Sequence, residues 1–185
     1  MTAIEVTLGG GALAELCHEA ICRIYDEAFS QPPFLWDAAE SHRHAAMLAS
    51  LRCEAGFGIA VAMSDRLVGF AYGTTLPVDH RWFSQLDRAL PESVTSEWEG
   101  RTFGFVNLAV TRQHWNRGVG RRLIGALFGS RSESRMLGTA QPTAERTQAI
   151  YRHLGWQYLG RKGPVTDAVS QYWDLYASDL AATGA

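Results

Sequence analysis

The run from Phe105 to Leu123 constrains the fold more than any other part of the chain. Phe105-Val-Asn-Leu-Ala-Val110 is apolar enough for a central strand, and Thr111-Arg-Gln-His-Trp-Asn116 is polar. Arg117-Gly-Val-Gly-Arg-Arg-Leu123 then opens a helical pattern that offers Leu123, Ile124, Leu127 and Phe128 to a core. A strand that feeds a helix through a glycine-bearing loop leaves backbone N–H groups without partners at the positive end of the helix dipole. Such a place binds an anion. Gly118 and Gly120 let a pyrophosphate approach the backbone, and Arg117, Arg121 and Arg122 can offset its charge. Taken alone, the same pattern also suits a glycine-rich turn with a solvated basic rim.

The flanking sequence supplies the other layers of a mixed α/β fold. Ala3 to Thr7 alternates as a short strand, and Gly9, Gly10 and Gly11 read as a flexible turn. Leu13, Leu16, Ala20, Ile21, Ile24, Tyr25 and Ala28 recur at helical spacing, predicting one helix from Ala12 to Phe29 that Pro32 and Pro33 end. A second helix is expected from about Trp36 to Arg52, with Met47, Leu48 and Leu51 inward. Gly58 to Met63 and Leu67 to Thr74 form a hairpin around Ser64-Asp65-Arg66. Residues 75–101 are irregular, with a short helix expected around Arg81 to Leu90, and read as an insertion between strands. Thr102 to Val110 is the central strand and Gly118 to Gly129 its helix. Met136 to Ala140, Thr143 to Leu154, Trp156 to Gly160 and Val169 to Tyr176 complete the chain as strand, helix, strand and strand.

At 185 residues and 46% apolar, the chain suits a single domain over 1–185. With 17 Lys+Arg against 19 Asp+Glu there is no positive field for phosphate backbones or anionic lipid, so neither nucleic acid nor membrane is expected as a partner. No stretch approaches the roughly 20 apolar residues of a membrane span, and a cytoplasmic protein is expected. Cys17, Cys22 and Cys53 form no CxxC pair; Cys17 and Cys22 read as small buried hydrophobes, and no metal site is expected. Gly-Lys-Ser/Thr is absent, which argues against a nucleotide phosphate loop.

Together, Leu108-Ala-Val110 and Trp115-Asn-Arg-Gly-Val-Gly120 resemble motif A of the GNAT superfamily of acyl-CoA N-acyltransferases, in which such a strand precedes Gln/Arg-x-x-Gly-x-Gly/Ala. Trp115 stands at the first position of that pattern, and Arg117 is the nearest substitute. Ala149-Ile-Tyr-Arg-His-Leu-Gly-Trp156 resembles the family's motif B, with Tyr151 on its tyrosine. The resemblance covers most of the chain and implies a GNAT-type fold, acetyl-CoA as cosubstrate, and direct transfer of its acetyl group to an amine. It also implies roles for particular residues. Leu108, Ala109 and Val110 would pair with the pantetheine arm, an amide near Val110 would polarise the thioester carbonyl, and Arg117, Gly118, Val119, Gly120 and Arg121 would hold the pyrophosphate. Tyr151 would protonate the departing thiolate as general acid.

The acceptor is expected to be a small-molecule amine, with a cationic one among the candidates. A protein lysine or N-terminus, or a CoA-binding module without catalysis, are the alternatives, and a homodimer is a candidate assembly. Many family members carry a Glu on the motif A strand where this chain has Asn107, so the base is open among Asp26, Glu27, Asp79, His80, Glu97, Glu99, His114 and water. His42, His44 and His153 read as helix-surface residues. In the insertion, Asp79, Asp87, Glu92, Glu97 and Glu99 lie among Trp82, Phe83 and Trp98, which suits a cation. The same aromatics suit anchoring of a loop or a dimer contact equally well.

Overall fold

The computed structural model describes residues 3–166 and 169–179. Its elements in chain order are β1 (Glu5–Gly9), α1 (Gly11–Leu16), α2 (His18–Phe29), α3 (Ala38–Leu51), β2 (Gly58–Met63), β3 (Leu67–Thr75) and α4 (Glu92–Thr95). There follow β4 (Thr102–Val110), α5 (Val119–Gly129), β5 (Arg135–Ala140), α6 (Glu145–His153), β6 (Gln157–Lys162) and β7 (Trp173–Asp179). The strands hydrogen-bond in the order β1-β2-β3-β4-β5-β7-β6. The β4–β5 pair is parallel, whereas β1–β2, β2–β3, β5–β7 and β6–β7 are antiparallel. The expected mixed α/β sheet is therefore present. The chain divides into two compact units, Met1–Thr74 with Val106–Arg131 and Thr75–Phe105 with Ser132–Ala185.

In the first unit, β2 and β3 are buried along almost their whole length, which is why both read as unbroken apolar runs rather than alternating ones. Ile21, Ile24 and Tyr25 of α2, Leu48 of α3, Ile59 and Val61 of β2 and Phe70 and Tyr72 of β3 share one core with Ala109 of β4. The predicted single helix breaks at Cys17, so Leu16 is 83% exposed. The glycines before it are not a flexible turn. A Cβ at Gly11 would lie 2.1 Å from the Arg52 carbonyl oxygen, so close packing of α1 on the end of α3 requires glycine there. Cys17 and Cys22 are half-buried, and burial raises both thiols.

His44, expected at the surface, is 2% exposed. Its ring stacks on Tyr25 at 3.5 Å and 6°, and neither ring nitrogen has a hydrogen-bond partner among the described residues. Burial, with nearby His18, lowers its pKa from 6.5 to about 4. The folded pKa lies below the unfolded one, so between those values the unfolded chain binds more protons and stability falls as pH falls. The slope reaches at most about 1.4 kcal/mol per pH unit for one group. His44→Phe keeps the stack and removes the titration. Denaturant unfolding from pH 4 to 7 should show this slope reduced in the variant; an unchanged slope would assign the acid sensitivity elsewhere.

In the second unit, the insertion brings its own core. Trp82, Phe83, Leu86, Leu90 and Val94 pack on Leu76, Leu137, Leu159 and Leu175. The helix expected over Arg81 to Leu90 does not form, because this stretch follows β6. Leu86 bridges Lys162, the Asp87 N–H donates to the Arg161 carbonyl at 2.8 Å, and the Gly163 N–H donates to the Gln85 carbonyl at 2.9 Å. An edge strand left with open backbone groups is a pairing hazard, and the insertion supplies partners for it.

Candidate active site

The motif A junction lies in the first unit. The β4–β5 register ends at Phe105↔Gly138, and Val106–Val110 continue the strand beyond that pair. Asn116 (φ 58°) and Gly118 (φ 74°) both adopt left-handed backbone, turning the loop into α5. Gly118 is the N-cap and no side chain caps the helix, so its first N–H groups lack the side-chain acceptor that usually satisfies one of them. Nothing lies within 4 Å of a Cβ at Gly118, so the backbone conformation alone calls for glycine there.

Gly120 is different. It is helical, and a Cβ there would meet Leu108 Cδ2 at 3.8 Å and Val110 Cγ2 at 3.9 Å, ordinary contacts that the protein itself tolerates. Val119 is buried and anchors the turn, whereas Arg117 and Arg121 are exposed, as phosphate contacts require. Arg122 instead donates to the Ile4 carbonyl at 2.8 Å. Trp115 ties the loop to the strand by donating its indole N–H to the Val110 carbonyl at 2.6 Å. Asn107 donates to the Tyr72 hydroxyl at 2.8 Å, so the position that lacks a carboxylate is occupied by a half-buried amide bonded to a buried phenol.

Tyr151 lies in the second unit. It is 4% exposed, stacks on Trp156 at 4.7 Å and 22°, and its ring centre lies 4.9 Å from that of Tyr176. Its hydroxyl donates to the Thr139 carbonyl at 3.3 Å. Burial, then the Tyr176 phenol, push its pKa well above the ordinary tyrosine value, so it stays a proton donor. The sequence reading missed Gly138, whose role depends on a residue thirteen positions away. A Cβ there would lie 2.7 Å from the Tyr151 hydroxyl and 2.9 Å from the Trp156 ring. Gly138→Ala is therefore expected to displace the Tyr151 hydroxyl. In steady-state kinetics with acetyl-CoA and an amine, turnover should fall about ten-fold or more while acetyl-CoA affinity holds. Unchanged turnover would separate Gly138 from the chemistry.

The candidate bases are mostly engaged. Glu27 accepts from the Arg112 N–H at 3.2 Å, Asp26 accepts from the Ser41 hydroxyl, and His114 Nδ1 lies 2.9 Å from the Thr111 hydroxyl. Glu97 and His80 are joined at 2.8 Å and both side chains are 4% exposed. The insertion is thus no open cage for a cation. Trp82 and Phe83 are packed inward, and exposed Trp98 already carries the Arg101 guanidinium 4.3 Å from its ring centre. Among the described residues no three His, Cys, Asp or Glu side chains cluster as metal ligands, and no helix is long and apolar enough to cross a membrane.

Comparison with known proteins agrees with the mixed α/β fold. A GNAT-family acetyltransferase from Desulfovibrio desulfuricans superposes with a TM-score of 0.70 at 12% identity, over 96% of this chain and 99% of that one. NAA60 of Arabidopsis thaliana, solved with acetyl-CoA, gives 0.64 at 12% identity over 97% and 99%. The aminoglycoside N-acetyltransferase AAC(6')-Iy, solved with CoA, gives 0.55 at 15% identity over 85% and 90%. At such identities the likeness establishes the fold. A comparison with curated protein sequences finds no match. The acetyltransferase (GNAT) family model, however, matches residues 19–156, which include both motifs, and the chain belongs to that family.

Proposed function

We propose that this chain is an acetyl-CoA-dependent N-acetyltransferase acting on a small-molecule amine by direct transfer, with 1–185 as one catalytic domain. The observation that carries this reading is the α5 N-terminus, uncapped, reached through two left-handed residues and placed at the end of β4. Its N–H groups, with Arg117 and Arg121, suit the pyrophosphate of CoA. Leu108, Ala109 and Val110 supply backbone groups for the pantetheine arm. The neutral amine nitrogen attacks the thioester carbonyl as the C–S bond breaks, the thiolate takes a proton from Tyr151, and the second proton that the nitrogen sheds on becoming an amide passes to solvent, which returns a proton to the phenolate. Because Asn107 is an amide bonded to Tyr72, β4 supplies no base there, and the ammonium proton leaves to solvent before attack.

The test uses the difference between Gly118 and Gly120. Acetyl-CoA at a hundred times its dissociation constant should stabilise the protein by about 2.7 kcal/mol. Gly120→Leu should abolish that shift, and Gly120→Ala, whose Cβ meets only ordinary contacts, serves as the folded control. Calorimetry and thermal unfolding read both effects. Absence of stabilisation of the unmodified protein at millimolar acetyl-CoA would end the cofactor assignment.

A further inference from the structure

The first unit holds a cleft of about 210 Å³ at the junction of α2 and α3, lined by Tyr25, Asp26, Phe29, Trp36, Asp37 and Ser41 among others. That volume is below the roughly 300 Å³ at which whole-ligand pockets begin, so it suits one end of a larger molecule. Its walls are aromatic: Phe29 and Trp36 stack at 4.6 Å and 10°, and Tyr25 tilts against both at 4.5 and 5.5 Å. Asp26 and Asp37 are exposed beside these rings; Asp26 Oδ1 accepts from Ser41 and Asp37 Oδ1 caps α3 through the Ala39 and Glu40 N–H groups, so the Oδ2 atoms carry the rim. The nearby Arg43 is paired with Glu40, and neutral His44 lies behind Tyr25, so neither cancels the acidic rim. The Trp36 indole nitrogen is buried and has no acceptor among the described residues. The same helix is tied to the loop after β4 through Glu27 and the Arg112 N–H.

We infer that the α2–α3 cleft binds an alkylammonium group, the second positive charge of a di- or polycationic amine acceptor. The inference rests on the amine-acetyltransferase reading for its biological use, though not for the binding itself. Its chemistry follows from a requirement of the reaction: the amine that attacks a thioester must be uncharged, so it cannot also be the cation a cleft of rings and carboxylates retains. A charged group held here belongs to a different nitrogen of the same acceptor.

The experiment compares choline with its uncharged isostere 3,3-dimethyl-1-butanol, reading the Trp36 indole N–H by NMR with Trp36→Phe for assignment. Choline should shift that resonance saturably and bind on the order of ten-fold more tightly than the isostere. Asp26→Asn, which keeps an acceptor for Ser41, should weaken choline several-fold, and added salt should do the same. In parallel, 1,4-diaminobutane should exceed butylamine as acceptor by about ten-fold in kcat/KM, an advantage reduced by Asp26→Asn. Equal binding of choline and its isostere, or choline binding that Asp26→Asn leaves unchanged, overturns the cleft assignment even if amines are acetylated. Choline binding with neither amine acetylated in the presence of bound acetyl-CoA overturns the acceptor role and the amine-acetyltransferase reading together, and leaves a cation site.

Discussion

Glu97→Ala should destabilise the protein by about 3–5 kcal/mol, the cost of leaving buried charge without its partner. One Glu97 carboxylate oxygen lies 2.7 Å from the Arg135 guanidinium and 2.8 Å from His80 Nε2, and both Glu97 oxygens accept from the Thr102 hydroxyl at 2.9 Å. Arg135 also donates to Thr102 Oγ1 at 3.0 Å and to the Val94 carbonyl, and its guanidinium lies 5.2 Å from the Phe83 ring centre. Burial, then Arg101, pull the Arg135 pKa down, while Glu97 opposes both. Without the carboxylate, Arg135 keeps its desolvation and loses its counterion. Glu97→Gln keeps a hydrogen-bond acceptor and should lose less. Urea unfolding of the two variants reads the difference. A loss under about 1 kcal/mol for Glu97→Ala would show that water or another group compensates.

For the segment that holds this residue the sequence left a cation site and an anchored loop even. Acids interspersed with Trp82, Phe83 and Trp98 have the composition of a cation site, but composition does not say which way side chains face. Glu97 finds partners five, seventeen and thirty-eight positions away, and no local pattern encodes that set. The strands show the opposite case. Gly58–Met63 and Thr102–Val110 were legible to the residue, because each is an apolar run closed by turn residues. The α5 start was legible too, since Gly118, whose left-handed backbone calls for glycine, is a local requirement of one turn. Lost were features set by distant neighbours: Gly11 against the Arg52 carbonyl, Gly138 under Tyr151, and residues 85–87 drawn out along β6. His44 was misread because a helix face that carries Arg43 and His42 looks solvated, while the adjacent residue stacks on Tyr25.

Tyr151→Phe should lower turnover by about two orders of magnitude, the usual scale for removing a positioned general acid, with acetyl-CoA affinity unchanged. The substitution is conservative where packing is concerned. Phenylalanine retains the stack on Trp156 and the contact with Tyr176, and removes a hydroxyl whose bond to the Thr139 carbonyl is long at 3.3 Å, so stability should change by about 1 kcal/mol or less. A phenol raised by burial cannot act as a base at neutral pH, and its proton is the property a leaving thiolate needs. The thiol of CoA is more acidic than such a phenol, so transfer is uphill unless it accompanies C–S cleavage. The loss should therefore shrink with thioesters whose thiols are more acidic, because these depart with less protonation. Pre-steady-state measurement of the chemical step with acetyl-CoA and with an acetyl thioester of lower thiol pKa reads this directly. An equal deficit for both substrates would give Tyr151 a role in positioning, and no deficit for either would remove it from the reaction.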